Sequence, residues 1–291
     1  MSTIVLLTLT GLGLSALYFL IASGLSLVFG LADVLNFAHG LFLSVGAYAT
    51  WWAGSRWTGP VGFVAAVLFG VACAAVFGAL VELVLIRPLY RRRTEQVLVT
   101  VGLSLCGVAL LQSLWGNDPR PFNRPQWTKR VSHVLGADVP NDRLLLVAVA
   151  AVVLLGLLAL LRYTRYGLIL RAGVDNRDMV RALGVNVGLA FTAVFALGGA
   201  LAGLAGALGG VYFGSVTPGQ GASLLIFAFI VVVIGGMGSV TGSAYAAVAV
   251  GLLQQFVNYY GTSGAGDICV VALLAVVLLL RPSGIAGKAT A

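Results

Sequence analysis

Apolar residues in this chain do not alternate with polar ones; they run in blocks. Nine stretches, at 3–31, 36–54, 60–86, 95–115, 143–161, 186–212, 222–236, 241–258 and 267–280, are almost free of charge, and most charged residues fall between them. A helix needs about 20 apolar residues to cross the hydrocarbon of a bilayer. Lipid offers a bare backbone no hydrogen-bond partner, so each block must close its own bonds as a helix. The pattern predicts an all-α, polytopic helical membrane protein with eight or nine transmembrane helices, organised as a single permeability-barrier domain over 1–291. The stretch 36–54 opens on Asn36, His39 and Gly40. It reads as a full crossing or as a re-entrant segment, with the crossing preferred. The stretch 222–236 is short and runs into Gly235-Gly236-Met237-Gly238.

Composition sharpens this. Of 291 residues, 60% are hydrophobic and 9% charged, against about 25% charged in soluble domains. Mean hydropathy is +1.04. Disorder, a coiled coil, a disulfide scaffold and an ordinary cytosolic enzyme are excluded. The 39 glycines suit helices that approach closely in lipid, where packing replaces the hydrophobic drive. Cys73, Cys106 and Cys269 lie far apart in apolar segments without metal or redox spacing, and read as small buried hydrophobes.

The net charge of +8 does not point to nucleic acid, because the basic residues occupy short loops, where they set orientation. With Arg281 and Lys288 inside and nine crossings, inner loops hold eleven Lys and Arg and outer loops six. The N-terminus is then outside; eight crossings would place it inside. No Lys or Arg precedes Arg56, so the basic region of a signal peptide is missing and the first helix is expected to remain.

Two inner loops are charged. Arg87-Pro88-Leu89-Tyr90-Arg91-Arg92-Arg93 reads as an orientation anchor. The segment 162–185 is patterned: Arg171, Asp175 and Asp178 share one helical face, Leu168, Ala172, Met179 and Leu183 another, and Gly167 and Gly184 bracket them. A short amphipathic helix results, lying on headgroups or docking a cytoplasmic partner. The run Asp175-Asn176-Arg177-Asp178 favours docking, since a lipid-facing helix prefers an unbroken basic face. An outer loop occupies 116–142. Residues 11–30 echo 195–214 at five positions, and the two segments run in opposite directions, which suggests an inverted internal repeat.

The chemistry is sparse. His39 and His133 are the only histidines, and neither a nucleophile–base pair, a metal-ligand motif nor a phosphate-cradling loop is present. Ion-coupled carriers keep ionisable groups at mid-membrane. Here Asp33, Glu82, Asp267 and His39 fall near predicted span ends, so energy is expected from a separate motor. Asn36, Phe37, His39 and Gly40 are one candidate stretch of substrate path, with an interhelical hydrogen-bond clamp as the alternative. Gly235, Gly236, Gly238 and Ser239 are another, because a glycine break at membrane depth exposes backbone dipoles; close helix packing is the alternative there.

Taken together, these residues resemble the H-type membrane subunit of the Liv branched-chain amino acid ABC importers. The likeness is carried by Gly24-Leu25-Ser26-Leu27-Val28-Phe29-Gly30, Asn36-Phe37-Ala38-His39-Gly40, Gly46-Ala47-Tyr48 and Arg87-Pro88-Leu89. It continues through Gly167, Leu170-Arg171-Ala172, Asn176, Ala182-Leu183-Gly184, Gly214-Ser215-Val216-Thr217-Pro218 and Gly235-Gly236-Met237-Gly238-Ser239. The resemblance implies a multi-pass protein of the bacterial inner membrane. Its partners would be an M-type permease subunit, two cytoplasmic ABC ATPase subunits and an extracytoplasmic substrate-binding protein. This chain would bind no cofactor, ATP being used by the partner subunits. The segment 167–184 matches the part such permeases use to contact the ATPase, with Arg171, Asp175 and Asn176 as polar contacts and Met179 and Leu183 as apolar anchors. The expected cargo is a branched-chain or related small apolar amino acid. A permease for urea or short amides and an ATP-independent facilitator or channel are the rival readings.

Overall fold

A computed structural model of the chain describes residues 2–90, 92–134, 136–164, 167, 187–262, 264–281 and 284–286. Among them are nine α-helices: α1 (Ser2–Ala32), α2 (His39–Gly54), α3 (Gly59–Val81), α4 (Arg93–Trp115), α5 (Asn141–Tyr163), α6 (Val187–Phe213), α7 (Gln220–Gly235), α8 (Val240–Tyr260) and α9 (Ala265–Leu280). Each corresponds to one apolar stretch, with ends displaced by a few residues. Six are long and apolar enough to cross a membrane: α1, α3 with its extension to Leu89, α4, α5, α6 and α8. Helices α2, α7 and α9 have 16 residues each, about 24 Å at 1.5 Å per residue.

Local chemistry sets the breaks. Asp33 ends α1 in the left-handed region (φ 55°), a conformation that short polar side chains tolerate at a helix C-terminus. Gly236 (φ 95°) and Gly238 (φ 86°) turn the chain after α7. Ser239 Oγ then accepts the Gly242 N–H at 3.0 Å and caps α8.

Helix ends gather on two faces. On one lies the 116–142 loop, with β1 (Arg120–Pro121), β2 (Val131–Val134) and β3 (Ala137–Pro140); β2 pairs with β3, and β1 with β4 (Ser215–Val216), both antiparallel. Trp51 Nε1 donates to Pro121 O (3.1 Å) and Asn123 Nδ2 to Gly54 O (3.1 Å), so α2 ends on this face. Gly13 of α1 lies against Arg143 there too. On the opposite face, Arg93 pairs with Asp33, and Ile285 N donates to Ile234 O at 2.8 Å. Helix α1 therefore leads from the loop face to the other, and residues 33–54 lead back. The return is irregular over 33–36 and turns at 37–38, and α2 begins deep in the bundle, where the His39 ring lies beside Ile21 and Gly24 of α1.

The second half of the chain repeats this plan upside down. Helix α6 runs to the loop face, residues 214–219 turn back, and α7 starts inside. Two pairs of helix starts share one spacing: Gln220 opens α7 181 positions after His39 opens α2, and Val240 opens α8 181 positions after Gly59 opens α3. Packing is exchanged to match, α1 lying on α8 and α3 on α6. The sequence echo of 11–30 in 195–214 is three residues out of this register. Few-residue matches between glycine-rich apolar segments carry little alignment information, whereas helix and turn lengths carry more.

Helix α1 is the axle of the core: Leu17, Leu20, Ile21 and Val28 are wholly buried. Helices α4 and α5 present large apolar side chains outward, among them Leu98, Leu105, Leu114 and Leu155, as a lipid-bathed surface requires.

Candidate functional site

The 33–38 return leaves room beside it. A cavity of about 330 Å³ opens between α1, this segment, α7 and α9, walled by Leu25, Leu35, Phe37, Phe229, Ile230 and Leu274. Among the described residues its lining contains one polar side chain, Asn36. Asn36 is buried, and its two ends do different work. The Oδ1 atom accepts the Ala38 N–H at 3.0 Å, the turn that starts α2. The Nδ2 donors have no hydrogen-bond partner among the described residues. An orphaned buried donor costs about 1–3 kcal/mol, which an acceptor reaching this amide would relieve. Phe37 stacks on Phe229, ring centroids 6.2 Å apart, and makes one wall.

His39 has a different setting. It is wholly buried, its Nε2 lies 3.2 Å from Ile21 O, and its ring stands edge-on to Phe42. Gly24 makes the space: a Cβ there would come within 2.9 Å of the imidazole. Gly40 meets Gly221 where α2 and α7 cross. Neither lines the cavity.

The glycine break lies at the far end of α7. Gly238 packs on Gly30, Gly235 on Gly242, and Gly236 beside Gly284, at separations no side chain could enter. Gly235, Gly236, Gly238 and Ser239 are absent from the cavity lining. The structure thus brings Asn36 and Phe37 to the cavity, sets His39 and Gly40 behind it, and holds the glycine break apart from it. Of the coupling candidates, Gly167 N donates to Thr164 Oγ1 at 3.1 Å. Arg171, Ala172, Asp175, Asn176, Met179, Leu183 and Gly184 lie outside the described residues.

Two polar constellations had no signal in the sequence, because their members are distant along the chain. Tyr18 donates to Gln254 Oε1 at 2.7 Å, and Gln254 Nε2 donates to Asp267 at 2.5 Å, tying α1, α8 and α9. On the opposite face, Glu82 gathers Arg87, Tyr90 and Thr192. Among the described residues no cluster of three or more His, Cys, Asp or Glu could hold a metal.

The whole architecture has relatives. Over 289 residues the chain is 28% identical to the high-affinity branched-chain amino acid transport system permease protein LivH of Escherichia coli K12, covering 96% of this chain and 94% of that protein. It is 29% identical over 289 residues to the corresponding permease protein BraD of Pseudomonas aeruginosa, with the same coverage. It is 26% identical over 278 residues to the fructose import permease protein FruF of Bifidobacterium longum, covering 91% of this chain and 74% of that one. No solved structure matches the chain. Residues 7–280 match the family described as branched-chain amino acid transport system, permease component; the match spans all nine helices, and this multi-pass membrane protein belongs to that family.

Proposed function

We propose that the chain is the membrane-spanning permease subunit, one domain over 1–291, of an ATP-driven importer for branched-chain or related small apolar amino acids in a bacterial inner membrane. The observation that carries this reading is the cavity: aliphatic and aromatic walls with the single unpaired amide of Asn36. Apolar walls favour a branched aliphatic side chain by roughly 25 cal/mol per Å² buried. The amide donor suits a carboxylate or carbonyl oxygen. With no charged side chain in the lining among the described residues, binding stays weak, and a pathway must release what it admits. A sugar, with hydroxyls on every face, would leave most of its hydrogen bonds unmade here, which argues against the cargo named for the FruF relative.

The loop 116–142 faces the extracytoplasmic binding protein in this reading, and Arg87, Arg93 and Arg281 face the cytoplasm. Two ABC ATPases supply the energy, an M-type permease completes the pathway, and the chain itself binds no cofactor. The segment 162–185 joins α5 to α6 on the cytoplasmic face. There Gly167 and Gly184 bracket the docking element, Arg171, Asp175 and Asn176 make its polar contacts, and Ala172, Met179 and Leu183 make its apolar ones.

The test is purification through a tag on this chain, reconstitution into vesicles, and leucine uptake with and without ATP. ATP-dependent uptake competed by valine but not by urea or fructose is expected. Replacing Arg171 and Asp175 together by alanine should preserve insertion and abolish coupling. Equal uptake without any ATPase would establish a facilitator, and competition by urea alone an amide permease.

A further inference from the structure

Helix α3 does not end as an α-helix. Its last turn widens into a π-turn, Glu82–Ile86, followed by a tight 3₁₀ turn, Arg87–Leu89. A π-turn costs helix regularity and is found most often at functional positions. It points Glu82 into the bundle, where the carboxylate is wholly buried. Three donors from two separate regions converge on it. Tyr90 Oη donates to Oε1 at 2.7 Å, and Thr192 Oγ1 of α6 donates to Oε2 at 2.6 Å. The Arg87 guanidinium pairs with Oε1 at 3.4 Å and also donates to Thr192 Oγ1 at 3.2 Å. The Tyr90 ring rests edge-on against Phe191, the neighbour of Thr192. Glu82, Arg87 and Thr192 thus form a closed ring of polar contacts across 110 positions of sequence.

The place of this ring matters. Thr192 lies in the second turn of α6, and α6 continues directly from the segment 162–185. Beyond the ring, α3 and α6 pack backbone to backbone: Gly199 lies against Ala74 O, and Gly78 against Phe195 O. Farther along α3, Gly70 seats on Gly46 O and Thr50 of α2, the helix that starts beside the cavity. A displacement of the start of α6 reaches α2 directly, where Gly203 and Gly206 meet Gly46 and the Leu43 carbonyl, and through α3, and the Glu82 ring closes the first joint of the second route. Coupling between sites is carried by such packed elements and hydrogen-bonded junctions when they move as units.

We infer that Glu82 is a positioning residue for energy coupling: its carboxylate locks the start of α6 to the end of α3, so that movement of the 162–185 segment reaches α2 and the cavity instead of being lost at a loose helix start. This rests on the reading of 162–185 as the ATPase-docking segment. A carboxylate is required because one group must accept from three donors at once, and the Arg87 guanidinium at the bundle edge offsets the charge of that buried anion.

The experiment uses the complex purified through a tag on this chain, in vesicles, and measures ATP hydrolysed per leucine transported. Glu82→Gln keeps shape and removes the anion; Thr192→Val removes one donor at constant volume and guards against misfolding of the first variant. Both are expected to raise ATP consumed per leucine at least fivefold while leaving subunit association and basal ATPase activity unchanged, with Glu82→Asp recovering part of the coupling. A wild-type ratio in both variants overturns the role of Glu82 and leaves the importer reading intact. Failure of the unmodified chain to bring down an ATPase or to show ATP-dependent uptake overturns the importer reading, and the role of Glu82 with it.

Discussion

Gly40 and Gly221, the second residues of α2 and α7, lie directly against each other: a Cβ on Gly221 would sit 2.0 Å from the Gly40 carbonyl oxygen. They are 181 positions apart, the spacing that relates the two halves of the chain. Equivalent residues in contact mark the crossing point of an inverted pair, and here both partners are backbone, so neither can yield.

Gly221→Ala should therefore be among the most damaging single-methyl changes available. Overpacking against backbone costs about 3 kcal/mol, read as a lower melting midpoint in detergent and reduced folded protein in membranes. Gly102→Ala is the control. Nothing lies within 4 Å of a Cβ there, and a helix-interior alanine stabilises by about 0.5–1 kcal/mol.

Asn36 separates stability from transport. Asn36→Ser keeps an oxygen to accept the Ala38 N–H and deletes the Nδ2 donor without burying a charge. Loss of one hydrogen bond to cargo is worth about 1.4 kcal/mol, or tenfold in initial uptake rate, with melting little changed. An unchanged uptake rate would remove Asn36 from the path.

His39 should behave in the opposite way. Its contact with Ile21 O and its fully buried ring make His39→Ala a packing lesion of about 2–4 kcal/mol. The ratio of leucine to valine uptake in the surviving protein should match wild type; a changed ratio would assign the imidazole to the cargo.

The Arg93–Asp33 pair is a contrast to Glu82. Both side chains are well exposed, at 79% and 43%. Exposed pairs contribute about 0–1 kcal/mol and are screened by salt. Arg93→Ala should shift melting by no more than that, the shift shrinking at high salt, and should leave the ATP-to-leucine ratio untouched.

Much of the fold was legible because lipid enforces it. The nine apolar stretches became nine helices, since no other backbone state satisfies its hydrogen bonds there. The stretch 36–54 was ambiguous because its first residues are polar; in the structure Asn36 and the turn at Ala38 lie inside the bundle, and the helix starts late at His39. The Asn-Phe-Ala-His-Gly run reads as one candidate stretch of path, yet its members part ways: Asn36 and Phe37 line the cavity, and His39 braces α1 against α2. The break after α7 illustrates a second limit. Glycine permits both an exposed dipole and a tight contact, and composition cannot choose; Gly30 and Gly242 occupy the space and choose contact.

Hydrophobic period, charge distribution and glycine content, all properties of neighbouring residues, were enough to predict a lipid-embedded helical bundle and its candidate turns, and to raise the expectation of an external motor. The inverted register of 181, the 330 Å³ cavity and the Glu82–Thr192 junction arise only when α1, α3, α6 and α7 are packed. They depend on which surfaces meet, and in a uniformly apolar chain the sequence pattern has little contrast with which to encode those meetings; the shapes of the packed helices decide them.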